Sequence, residues 1–345
     1  MRSVPSSAVL PVVPRPGREE RLSSWLNRLA LFYAMPVASF LEYCSLNGVD
    51  IAALEWRLGD DEAIALATRI GMTVDELRMM TFQEIARHAR PMIYRGGGNS
   101  CPVCPPDLRR KTAAFPWNFW CVEHNVRLIA RDGENLVMKL PETTLTSLDV
   151  NAHQGAMRLA AWAQGKDTAA PSVPQHLDFL TTRYRRPRSP SFESPLPQST
   201  PPWPRYAFLL VVPEYDRVAP AFDRPVRAGV SSLTRGSLLQ KYALTVALGR
   251  IATDPVGHVA SVLLASDYDG EEWLHQTLQT WPLELLNRIY ARLYRLRAAR
   301  RNAAEREVSS WAAWKEHKSQ NPDSPSLKIV RRESQNHARS RRPSH

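Results

Sequence analysis

The sequence predicts a mainly α-helical protein: an N-terminal helical domain with a helix-turn-helix-like unit, a small zinc-ribbon-like subdomain, a C-terminal helical domain and a disordered basic tail. Three observations predict it. Leu22, Trp25, Leu26, Leu29 and Phe32 or Tyr33 recur at helical spacing. Cys101, Cys104, Cys121 and His124 form a C-x2-C…C-x2-H set. Leu283, Leu286, Ile289 or Tyr290, Leu293 and Leu296 form an apolar stripe that starts just after Trp281-Pro282.

In chain order, residues 1–17 read as an extended, proline-rich arm, and 18–95 as the N-terminal helical domain. Pro36 ends the first helix and starts a second carrying Phe40, Leu41 and Cys44; that cysteine reads as a small buried hydrophobe. Ile64, Leu66, Ala67 and Ile70 suit a helix that ends at Gly71, where a turn can use positive φ. Thr73 and Glu76 have capping-box spacing for the next helix, and Thr81 and Glu84 repeat it for one running to Pro91. Helix, glycine turn and capped helix resemble a helix-turn-helix with Asp75, Arg78 and Met79 outward. That face is weakly basic for a major-groove reader, so DNA reading and a protein-docking or packing role both stay open.

Residues 96–140 hold the metal motif, with Gly96–Gly98 as a hinge before it. Two short pairs on tight turns can bring four ligands to one tetrahedral zinc. Three thiolates and an imidazole leave no position for a catalytic water, so one structural zinc is expected. Phe115, Trp117, Phe119 and Trp120 between the pairs are either core for the hairpin or a base-stacking platform. Arg109, Arg110 and Lys111 form a basic tip, a phosphate contact or a solvated loop. Val126–Ile129 reads as a short strand and Asp132-Gly133 as a turn.

Residues 141–170 hold a helix near Ser147–Gln164, and 171–204 a proline- and serine-rich linker marking a domain boundary. The C-terminal helical domain, 205–317, has helices at Leu233–Ala252, at Val256–Ala265 and from Pro282. Arg288, Arg292 and Arg295 fall on a face of the last helix apart from its apolar stripe. The tail, 318–345, is basic. From Arg288 onward, 15 Lys and Arg stand against 5 Asp and Glu, which accounts for +10 of a total net charge of +11. Such a balance favours an acidic polymer, double-stranded DNA, held by counterion release; a merely solubilising tail is the alternative.

No apolar run is long enough to span a bilayer, and four cysteines do not make a disulfide scaffold, so a cytoplasmic, nucleoid-associated bacterial protein without membrane partners is expected. Neither Gly96–Gly98, which no Lys-Ser or Lys-Thr follows at phosphate-loop spacing, nor Gly165-Lys166-Asp167, which lacks the upstream Gly and the hydroxyl, makes a phosphate loop. Asp267, Asp269, Glu271 and Glu272 cluster where acids simply suit a helix start, so catalysis is not expected.

Two segments resemble the TniQ family of transposition proteins. Pro14-Arg15-Pro16 followed by Glu20-Arg21-Leu22-Ser23-Ser24-Trp25-Leu26-Asn27-Arg28-Leu29-Ala30 is similar to its opening signature. Cys101-Pro102-Val103-Cys104, Phe115-Pro116-Trp117 and Cys121-Val122-Glu123-His124 are similar to its zinc motif. The resemblance covers about residues 10–140. It departs in having no further cysteine pairs after His124, hence one zinc rather than two. The resemblance implies a non-catalytic factor that helps select a target and recruits an AAA+ ATPase regulator, with a transposase or a guide-RNA effector complex as further partners. The arm and first helix, through Arg15, Pro16, Trp25 and Arg28, are then the expected docking surface. The alternative is a zinc-containing transcription regulator acting alone.

Overall fold

The computed structural model describes residues 9–95, 98–130, 140–184, 205–215, 226–266 and 268–320. Five helices form the N-terminal part: α1 (Leu22–Phe32), α2 (Val37–Tyr43), α3 (Ile51–Leu54), α4 (Asp60–Ile70) and α5 (Val74–Met79). They enclose one core containing Leu22, Trp25, Leu26, Phe40, Leu66 and Leu77, with Leu10 and Val13 of the arm packed on it. Cys44 is fully buried there, and burial pushes its thiol up to about 11. Gly71 takes φ +75 at the end of α4, the left-handed position that lets the chain reverse into α5. Thr73 and Glu76 close the capping box of α5 reciprocally.

The helix expected from Thr81 to Pro91 does not form; turns and a short 3-10 helix (Arg90–Met92) stand there. Glu84 is engaged by the Lys111 ammonium at 2.6 Å instead of reaching back to cap Thr81. The hinge at Gly96–Gly98 lies partly outside the described residues. Gly98 itself is packed: at φ +154, a Cβ there would meet the Ala113 carbonyl oxygen at 2.3 Å.

Beyond the metal segment come α6 (Glu142–Ala163), α7 (Val173–Thr181), a two-residue antiparallel pair of β1 (Arg183–Tyr184) and β2 (Arg205–Tyr206), and α8 (Ala207–Val211). There follow α9 (Ser232–Arg235), α10 (Leu238–Thr253), α11 (Pro255–Ala265), α12 (Tyr268–Leu278) and α13 (Leu283–Gln320). Helix α10 carries the core of this half and is buried on almost every side. It crosses α6 through two glycines. A Cβ on Gly155 would lie 2.0 Å from the Thr245 carbonyl oxygen, and one on Gly249 2.0 Å from that of Asn151. Only bare backbone permits that approach.

The linker expected at 171–204 is corrected at its start. Val173, Leu177, Phe179 and Leu180 bury the inner face of α7, and Ser172 caps it with Gln175. Residues 185–204 lie outside the described set. Nor do the contacts divide the chain at this segment: they separate Met1–Ile289 from Tyr290–His345, because α6 is built into the C-terminal helices by its crossing with α10. In the second unit, residues 290–320 continue α13 as helix, so the expected disordered tail begins helical at 318; its remainder, 321–345, lies outside the described residues. Among the described residues no helix is long and apolar enough to cross a membrane.

Candidate metal centre

The chain before α1 sets up the metal hairpin. Residues 19–21, between the arm and α1, pair with residues 109–111: the Arg21 N–H donates to the Arg109 carbonyl at 2.9 Å and the Lys111 N–H to that of Glu19 at 2.7 Å. Further bridges join Trp120 with Arg127 and Ser100 with Ile129, so the Val126–Ile129 segment is paired as a strand would be. These pairings fold the 101–124 segment back on itself. Trp117 stacks on Phe115, and Phe119 meets Tyr242 of α10 edge-on; both are 2 % exposed, so neither offers a face for stacking bases.

Cys101, Cys104, Cys121 and His124 converge, their ligand atoms all within 4.8 Å of one another. A tetrahedral ion with Cys and His ligands sets sulfur–sulfur edges of about 3.8 Å and sulfur–nitrogen edges of about 3.5 Å. The observed Cys104–Cys121 separation is 3.7 Å, and His124 Nδ1 lies 3.6, 3.4 and 3.6 Å from Cys101, Cys104 and Cys121. The residues therefore fit a four-coordinate metal ion, with Nδ1 as the imidazole ligand.

The protonation chemistry agrees. Burial raises the Cys121 thiol, but the backbone N–H groups of His124 and Glu123 and the His124 ring more than reverse this, to about 6. Burial and two neighbouring thiols push Cys104 to about 11. Ionised sulfurs held this close call for positive charge beside them, which a bound cation would supply.

Arg110 and Lys111 correct the expected basic tip. Arg110 is 5 % exposed; its Nε donates to Cys104 Sγ at 3.4 Å, and its guanidinium binds the Glu123 carboxylate and the Arg18 carbonyl. Burial works against its charge, and Cys104 and Glu123 more than offset that. Lys111 is 9 % exposed and donates to Glu84 and to the Met79 carbonyl. Both are consumed inside the fold; only Arg109 of the three is exposed. Sequence spacing carries one usable signal for this: the basic run follows a metal-binding turn, where a cation near thiolates is useful.

The expected docking residues also separate. Trp25 is wholly buried, its indole N–H donating to the Pro14 carbonyl at 2.9 Å. Arg28 donates to the Arg15 carbonyl at 2.9 Å and to Glu20 at 2.8 Å. Both fasten the arm onto α1 and neither is a free surface group. Arg15 is exposed and Pro16 half-buried.

A polar clamp that sequence reasoning missed fixes the metal hairpin to α6 and α10. Arg127 donates to both oxygens of Asp149, at 2.8 and 2.9 Å, and the Tyr242 hydroxyl donates to the same carboxylate. The Arg127 guanidinium also lies over the rings of Trp120 and Tyr242. Arg288, Arg292 and Arg295 are exposed on α13. Of the acidic cluster, Glu271 is paired with His275 at 3.0 Å, and Asp267 lies outside the described residues.

Residues 11–128, about a third of the chain, match the TniQ family model. No curated protein and no solved structure matches the chain.

Proposed function

We propose, from the TniQ domain that this chain carries at residues 11–128, that it is a non-catalytic transposition protein: a zinc-containing, DNA-binding adaptor that helps select the target and recruits an AAA+ ATPase regulator, which in turn engages the transposase. The family match is the observation that carries the reading. The site supports it by being built as a brace.

Zinc is the metal that a Cys3His set with this edge geometry suits best. Cys101, Cys104, Cys121 and His124 would hold it. With four protein ligands it would supply structural closure and no reactive water. The residues around it then perform the work. Arg110 balances the excess thiolate charge and joins the hairpin to Arg18. The pairing of 19–21 with 109–111 seats the arm, and the Arg127–Asp149 clamp carries the hairpin to the second set of helices. The duplex would be held by the exposed arginines of α13, which carry positive charge without a base-reading geometry.

The test is co-purification with an AAA+ ATPase encoded at the same locus, with ATP, with and without duplex DNA. DNA-enhanced association is expected. No association, together with tight sequence-specific DNA binding by the chain alone, would replace the adaptor with a stand-alone regulator.

A further inference from the structure

A groove of about 700 Å³ opens between the arm and the turn that joins α4 to α5. Met72, Met79 and Met80 line it, and Met79 is 68 % exposed. Methionine side chains are unbranched and polarisable, and so adapt to varied apolar partners. Three glutamates line it: Glu19 and Glu76 are exposed at its edge, with Arg15 partly offsetting them, and Glu20 is buried and paired with Arg28. Glu76 is fixed there, since the Thr73 N–H and hydroxyl both donate to it at 2.8 Å.

The charge is the discriminating observation. The chain as a whole carries +11, yet two exposed carboxylates, Glu19 and Glu76, border this groove. Phosphate would be repelled from the very helix that its sequence pattern suggests as a DNA reader. The arm adds a second feature. Val12 and Pro14 turn polar groups inward, to Tyr33 and Trp25, whereas the Val13 N–H and carbonyl make no hydrogen bond among the described residues. Val13 lies along the groove, where an extended segment can pair with it.

We propose that this groove seats a cationic peptide segment of a protein partner, with an aliphatic side chain among the methionines and a Lys or Arg against Glu19 and Glu76. The partner's identity rests on the adaptor reading; the groove's chemistry does not.

The probe is a fluorescein-labelled peptide, Gly-Lys-Leu-Arg-Leu-Lys-Gly, titrated with the full chain and followed by anisotropy. Its control carries Glu at each basic position. The cationic peptide is expected to bind roughly tenfold tighter than the control, and the double variant Glu19→Lys, Met79→Lys to lose roughly tenfold. Both substituted side chains are exposed, and an unchanged melting curve checks the fold. Equal binding of the two peptides, or unaltered binding by the variant, overturns the proposal. The same variant is then tested for ATPase co-purification. Release of the ATPase supports the groove as its seat. Retention of the ATPase, with peptide binding lost, overturns that seat and leaves the adaptor standing. A wild-type chain that never holds the ATPase sinks the adaptor reading, and the peptide titration alone then decides the groove.

Discussion

Arg110 shows how far a single side chain's surroundings can depart from its place in a basic run. Its guanidinium is spent on a cysteine sulfur, a carboxylate and a carbonyl. Outer-shell partners of this kind are worth about 10- to 100-fold in metal affinity. Arg110→Gln should therefore weaken zinc retention by about that factor in a chelator competition, with DNA affinity unchanged. Cys121→Ser removes a ligand outright and should lower both zinc content and solubility; full retention of both would refute the metal centre. A second residue governs acid stability. His176 is buried against Trp281, and burial, then Arg158, hold its pKa down at about 4. The unfolded chain takes up that proton near pH 6.5, so stability is complete above 6.5 and falls as the pH drops toward 4. The loss reaches about 3 kcal/mol at most. His176→Phe keeps a ring on Trp281 and should flatten stability over that interval in denaturant titrations at stepped pH.

At the scale of elements, the helices with clean 3.6-residue periodicity or paired caps are the ones legible in sequence. Leu22–Phe32, the α4–α5 pair with Gly71 between them, and the metal ligands all belong to that group. What was illegible depends on partners distant in the chain. Thr81 and Glu84 spell a cap, but Lys111 takes the glutamate, and no local rule reports that competition. Helix α7 hides in a stretch whose prolines and serines dominate its composition, although Val173, Leu177 and Leu180 give it an inner face. The α6–α10 crossing is silent for the same reason, since a lone glycine in a helix ordinarily reads as a weakness. Here Gly155 is the contact itself. Gly155→Ala forces a methyl group into the Thr245 carbonyl and should destabilise by about 3 kcal/mol, measurable as a lower denaturant midpoint. An exposed glycine such as Gly48, whose φ is +71 with open space around it, separates backbone strain from this clash.

Taken as a whole molecule, the charge is unevenly spread: the segment from Arg288 onward holds +10 of the net +11. Non-specific duplex binding should follow that segment. Replacing Arg288, Arg292 and Arg295 together by Ala should weaken binding evenly across sequences and reduce the salt slope by up to about 3. A loss confined to one sequence would instead indicate base contacts. The edge of the methionine groove is acidic and the arginine face of α13 basic, so the two proposed partners, a cationic peptide and a duplex, would be sorted by sign.

The pairing of 19–21 with 109–111 also sets an order of events during synthesis. The segment that precedes α1 leaves the ribosome early, yet its hydrogen-bonding partners lie about 90 residues later in the chain. Until those partners emerge, residues 19–21 lack the strand-like pairing that closes them, and the Arg21 N–H has no carbonyl to meet. Bringing such distant residues together costs loop entropy that grows only slowly with length. A bound metal would hold 109–111 ready in a small preformed turn, so the later-made metal segment would lock the start of the N-terminal domain into place.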